Sequence, residues 1–181
     1  MRYLVTGGSG FIGSNLCSFL VDSGGIVLNV DRSVPRNKQL LNIWKSLDIC
    51  DNSLLASAFA EFAPDCVIHL AARTDLDGIS LEEYSSNMDG VRNVIEASLG
   101  CPSIKRVIFA SSRLVCRIGY QPGSDKDYCP TTMYGESKVI GEKFVRDLAA
   151  DAPWSWCIVR PTSIWGPWFD IPYIQFFDSV V

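Results

Sequence analysis

The chain has 181 residues, 48% hydrophobic and 20% charged, enough for one ordinary globular domain with a substantial core. A net charge of −4 argues against a nucleic-acid or anionic-membrane surface. The apolar runs are short and broken by Gly, Asp or Pro, so neither a membrane span nor a signal peptide is expected. The seven cysteines are scattered, lack CxxC pairing and lie partly inside apolar runs, as Cys66 and Cys157 do. That usage fits a reducing, cytoplasmic setting without structural disulfides. His69 is the single histidine, so no His-based metal site or serine triad can be built.

Arg2–Thr6 is an apolar, β-branched run that reads as a buried parallel strand. It stops at a glycine cluster in which Gly8-Ser9-Gly10-Phe11-Ile12-Gly13 fits G-x-G-x-x-G, with Gly7 in front. Such glycines allow a tight turn, let backbone approach a pyrophosphate and pack the next helix onto the strand. That helix is expected from Phe11 to about Val21, burying Ile12, Leu16, Phe19 and Leu20. Its N-terminus offers free N–H groups and a positive dipole end to phosphates. The motif alone is weak evidence, but a second strand, Ile26–Val30, ends in Asp31. An acid about twenty positions on is where the ribose hydroxyls of a dinucleotide are held. Its charge would repel a 2′-phosphate and so favours NAD. Arg32, which could stack on adenine or pair a phosphate, keeps NADP open.

Ile43–Leu47 reads as a third strand, followed by a helix from about Ser53 to Phe62 that Asp48 could cap. Cys66–Ala72 is a fourth buried strand ending in small residues, with His69 a strand-end histidine rather than an acid–base group. Arg73 to Ser86 is polar and acidic and is read as a loop near the substrate entrance. A helix begins at Asn87, which reads equally well as its N-cap, and Val91, Val94 and Ile95 form its apolar face. The fifth strand, Arg106–Ser112, delivers two hydroxyls to the edge where open α/β sheets bind ligands. After a loop rich in Gly, Pro and charge, a helix carries Tyr134 and Lys138 on one face. Ile140, Phe144 and Leu148 are expected to pack its other face on the sheet. A phenol with a pKa of about 10 is a poor base at neutral pH, and a nearby ammonium would lower it. Trp154–Pro161 is the sixth strand.

The glycine turn, His69-Leu70-Ala71-Ala72, the helix opening at Asn87, Tyr134-Gly135-Glu136-Ser137-Lys138 and the Arg160-Pro161 to Trp165-Gly166-Pro167 segment occur together in this order along the chain. They resemble the extended branch of the short-chain dehydrogenase/reductase superfamily, the NAD-dependent nucleotide-sugar epimerases and dehydratases. The resemblance covers essentially the whole chain. It implies a Rossmann-like, doubly wound parallel α/β sheet over 1–163. Residues 164–181 would begin a smaller substrate-binding lobe, largely missing here because such chains continue further. NAD would be held by Gly7, Gly10, Phe11, Ile12, Gly13, Asp31 and Arg32, and by Asp48 and Ile49 at the adenine. Leu70, Ala71 and Ala72 would let it lie close to the backbone, with Asn87, Tyr134, Lys138 and Pro161 completing the site. Ser112 would fix the substrate oxygen, Tyr134 would move the proton, and Lys138 would serve both phenolate and nicotinamide ribose. A nucleotide-sugar substrate and a homodimer are also implied.

Two departures narrow this. Dehydratases of the family place an Asp–Glu pair where Arg113 and Leu114 stand, and neither can serve as acid and base of a dehydration. Cys116 and Arg117 replace the usual Tyr-Gly, with Cys116 read as a strand-edge filler. The expected activity is therefore epimerisation of a nucleotide sugar through a keto-sugar. A reductase or dehydrogenase would use the same residues. A non-catalytic dinucleotide-binding scaffold is the alternative of another class, and the intact Ser112, Tyr134 and Lys138 set argues against it.

Overall fold

Strands and helices alternate along the computed structural model, which describes residues 1–169. They run β1 (Arg2–Thr6), α1 (Phe11–Asp22), β2 (Ile26–Asp31), β3 (Trp44–Ser46), α2 (Asn52–Phe62), β4 (Cys66–His69), α3 (Ser85–Leu99), β5 (Arg106–Ala110), α4 (Met133–Leu148) and β6 (Ser155–Val159). The strands form one sheet in the order β3-β2-β1-β4-β5-β6, and every neighbouring pair is parallel. This is the doubly wound Rossmann order, as expected. Winding reverses between β1 and β4, and the crevice outside their carboxyl ends is where such sheets take a ligand.

Both faces of the sheet are covered, which is why its central strands read as unbroken apolar runs. Leu4, Val67 and Val107 meet Phe59 of α2, Val94 and Ile95 of α3 and Val145 of α4 in the larger core cluster. The residues next to them in the chain, Val5 and Ile68, join Cys17 and Leu20 of α1 in the smaller one.

Two helix faces differ from expectation, for one reason. In α1, Ile12 is 38% and Phe19 66% exposed, and the buried residues are Gly13, Ser14, Cys17 and Leu20. In α4 Leu148 is exposed and the buried row is Ser137, Gly141 and Val145, with Ile140 and Phe144 only partly covered. A Cβ on Gly141 would meet the Asn87 carbonyl oxygen of α3 at 3.1 Å, and one on Gly13 would strike the backbone of Gly7 and Gly8. These helices approach so closely that small residues take the interface and larger ones turn outward. Asp48 does not cap α2. Asp51 does, accepting from Leu54 N at 3.0 Å, because it stands directly before the first helical residue.

Candidate active site

The turn between β1 and α1 uses its glycines for different ends. Gly7 has φ +73°, and a Cβ there would lie 2.5 Å from Ala71 N, so this position excludes side chains. Gly10 is otherwise. Its φ of −74° suits any residue, and a Cβ would meet only the Gly7 carbonyl oxygen, at 3.4 Å. Neither backbone nor packing requires glycine at 10, so the room above it is for something outside the chain. Gly10 provides no side-chain cap to α1, and the first turn of α1 holds no acidic residue. Its leading N–H groups and positive dipole end are thus left for an anion. These features fit the pyrophosphate of a dinucleotide.

Asp31 ends β2 across this turn. Its Oδ2 accepts from Ser9 N at 3.0 Å and its Oδ1 from Ser33 N at 2.8 Å, which orients the carboxylate and leaves lone pairs for a diol. Arg32 swings toward Asp48, 3.6 Å away, with side chains 74% and 44% exposed. A pair that open is weak, about 0–1 kcal/mol, and does not lock Arg32 in place. The Ile49 side chain belongs to the core. It is 5% exposed and packs where a Cβ on Gly90 would clash. The core uses it because α3 passes directly over this loop, and Asp48 alone faces outward.

At the same edge β5 ends, and Ser112 starts a short turn over Arg113–Val115 by accepting from Leu114 N at 3.1 Å. Helix α4, capped by Thr132 through Gly135 N, brings Tyr134 to that hydroxyl. Burial pushes the Tyr134 phenol up, a hydrogen bond from Ser112 pulls it down, and Tyr84 adds a smaller upward push. The balance is upward, opposite to the lowering expected from Lys138. The ammonium instead donates to the Ala110 carbonyl at 3.1 Å and lies 5.9 Å from the phenol ring centre. Burial brings Lys138 itself down to about 8 despite a contribution from Glu142. Asn87 is no helix cap, since α3 begins two residues earlier. Its amide accepts from Arg73 N at 2.8 Å and donates to Arg73 O and Ser137 Oγ, tying α3, α4 and the loop after β4 together. His69 is buried with Nδ1 2.7 Å from Thr6 Oγ1, and burial, with Lys138 adding to it, lowers it to about 3. It is neutral and structural.

Leu70, Ala71 and Ala72 follow His69 at the carboxyl end of β4 and are half-buried. The Pro161 carbonyl accepts from Arg113 N at 2.9 Å. The Arg113 guanidinium donates to the carbonyls of Cys116 and Tyr120 and so holds its loop. Cys116 is buried and donates to the Asp127 carbonyl, as a filler would. Residues 164–169 lie against the start of α1: Phe169 packs edge-on to Phe11 at 5.1 Å, and Asn15 donates to the Pro167 carbonyl. Residues 170–181 of the expected substrate region lie outside the described residues. Two further residues escaped the sequence reading. Tyr84 is fully buried with its ring 6.2 Å from that of Tyr134, and no motif flags it. Glu142 is 2% exposed, and its signal was the repeat of the four-residue step from Tyr134 to Lys138. Among the described residues no cluster suited to a metal ion is present and no helix is long and apolar enough to cross a membrane.

A Rossmann sheet with Ser, Tyr and Lys converging beside a glycine turn defines the short-chain dehydrogenase/reductase class. Within it the chain belongs to the NAD dependent epimerase/dehydratase family, whose model matches residues 3–178. It is 31% identical to the 3-beta-hydroxysteroid dehydrogenase of Mycolicibacterium neoaurum, over 99% of this chain and 52% of that one. It is also 31% identical to the UDP-glucose 4-epimerase of Bacillus subtilis, over 88% of this chain and 52% of that one. Among solved structures, the Bordetella bronchiseptica enzyme WbmG in complex with NAD and UDP superposes with a TM-score of 0.83 at 29% identity, covering 99% of this chain and 58% of that one. The chain spans about half the length of the curated relatives it matches.

Proposed function

We propose that this chain carries the cofactor and proton-transfer parts of an NAD-dependent nucleotide-sugar epimerase. The observation that carries the reading is the meeting of Ser112, from the end of β5, with Tyr134 and Lys138, from α4, beside the open Gly10 cradle. NAD would lie with its pyrophosphate over Gly10 and the first turn of α1, its ribose diol on Asp31 and its adenine beside Asp48 and Arg32. The chemistry it supplies when bound is reversible acceptance of a hydride at the nicotinamide. Ser112 holds the reacting hydroxyl of the sugar by a hydrogen bond. Lys138 would move from the Ala110 carbonyl to the Tyr134 oxygen and stabilise it as the phenolate, the phenol's own proton having left to solvent. The phenolate then takes the proton of the sugar hydroxyl and becomes a phenol. In the return direction the Tyr134 phenol would give that proton back to the sugar oxygen. The cytoplasm and a homodimeric full-length protein complete the proposal.

A second reading has one observation in its favour. The alignment with the steroid dehydrogenase reaches 99% of the chain, against 88% for the epimerase. Ser112, Tyr134 and Lys138 would serve an apolar secondary alcohol equally well, with a ketone as the final product.

Product mass separates these outcomes. With Arg113 and Leu114 where an acid–base pair would be needed, the full-length protein should convert a nucleotide sugar to an isomer of unchanged mass, with no net NADH. A product lighter by one water would sink the epimerase reading. Stoichiometric NADH with a 3β-hydroxysteroid, and no change in any nucleotide sugar, would replace it by the second reading.

The cofactor preference is testable on its own. The Asp31 carboxylate is held at the turn by Ser9 N and Ser33 N, where its charge would repel a 2′-phosphate. Calorimetry should give at least about tenfold tighter binding of NAD(H) than of NADP(H), about 1.4 kcal/mol. Equal or tighter NADP(H) binding would mean that Arg32 governs the site.

A further inference from the structure

Tyr134, Lys138 and Glu142 follow at four-residue steps along one face of α4, and all three are buried. A carboxylate out of water stays charged only when it is fully paired. Glu142 is. Its Oε1 accepts from Ser111 Oγ at 2.6 Å and Arg160 Nε at 2.7 Å, and its Oε2 from Arg160 Nη2 at 2.6 Å and the Tyr128 hydroxyl at 3.0 Å. Burial alone would raise its carboxyl, but hydrogen bonds from Arg160 and Ser111 hold it below the usual range. These partners stand at the site. Ser111 precedes Ser112 and Arg160 precedes Pro161. The two strand ends are joined at the same level by Ser111 N to the Val159 carbonyl and Arg113 N to the Pro161 carbonyl.

We propose that Glu142 is a positioning residue of the site. Its carboxylate clamps the ends of β5 and β6 to the helix bearing Tyr134 and Lys138, and it is the counter-charge of the Lys138 ammonium. The inference rests on reading Tyr134 and Lys138 as the proton-transfer pair and extends that face by one more residue.

The charges around Lys138 decide the test. Tyr134 and Glu142 face it from its own helix and His69 from β4, and Tyr84 stands behind Tyr134 from the turn before α3. Burial keeps His69 and the Tyr134 phenol neutral near pH 8, so Glu142 is the counter-charge, partly cancelled by Arg160 and the more distant Arg146. Removing the carboxylate strips the counter-charge and leaves Arg160 unopposed, and both effects disfavour the ammonium. Removing Arg160 leaves Glu142 opposed only by the more distant Arg146 and favours the ammonium.

The experiment is a carbon-13 NMR titration of lysine Cε in the full-length protein. Lys138 should titrate at about 8. In Glu142→Gln the midpoint should fall by about half a pH unit or more, and in Arg160→Gln it should rise. Opposite directions are the signature. A helix end merely loosened would admit water and move both variants up toward the ordinary 10.5. Two upward shifts, or no shift in Glu142→Gln, overturn the proposal. Should Glu142→Gln fail to fold, the unsubstituted protein decides: the Glu142 carboxyl carbon must show a step at the Lys138 midpoint, and a flat trace there overturns it too. The titration uses neither substrate nor cofactor, so failure of the epimerase reading and failure of this one are separately visible.

Discussion

Replacing Tyr134 by Phe in the full-length protein is expected to cut turnover by at least about 10²-fold, the lower end of what a general acid–base group contributes. NAD affinity should stay nearly unchanged. The ring packs against Tyr84 and is 8% exposed, and phenylalanine keeps that packing while removing only the hydroxyl that meets Ser112. Lys138→Ala should behave differently and weaken both turnover and NAD binding, because one ammonium would serve the phenolate and the ribose. Steady-state kinetics beside a calorimetric NAD titration measure the two effects. A Phe variant with near-normal rate would make Tyr134 and Lys138 an ordinary buried helix pair and end the proposed mechanism.

Gly10→Val should abolish dinucleotide binding, weakening it by more than about 100-fold, or about 2.7 kcal/mol, while the protein stays folded. Most glycine-turn substitutions would not separate these effects. A side chain at Gly13 collides with the turn itself, and one at Gly7 collides with Ala71 and requires φ +73°. At Gly10 the backbone is ordinary and the Cβ has 3.4 Å to its nearest neighbour. The stability cost is then that of a poorer helix cap, roughly 1 kcal/mol. Fluorescence titration with NADH and a thermal melt together are diagnostic. A Val variant that still binds NADH would place the pyrophosphate elsewhere, and one that unfolds would make the glycine structural.

Much of the fold was written in local pattern. The parallel sheet followed from apolar runs broken at glycine or acidic residues, because a strand covered on both faces has no polar side to show. The glycine turn, Asp31 and the Tyr134–Lys138 step were legible for the same reason, as each is set by spacing along a single element or between two consecutive ones. Where periodicity was used to choose a buried helix face it failed at Phe19 and Leu148. Hydrophobicity cannot report how closely two backbones approach, and there the close approach gave the interface to Gly13, Cys17 and Gly141.

The amino-acid sequence by itself determined the class of fold, the glycine turn between β1 and α1 and the placing of Tyr134 and Lys138 on one helix face. Only the tertiary structure decided their electrostatic condition. Lys138 is bound to a carbonyl of β5 and lowered by burial, the Tyr134 phenol is raised, and Glu142 is enclosed by donors from three separate segments. A charge's free energy depends on everything packed within several ångströms of it. The hydrogen-bond partners that set it here lie fourteen to thirty-one positions away in the chain, beyond any local pattern.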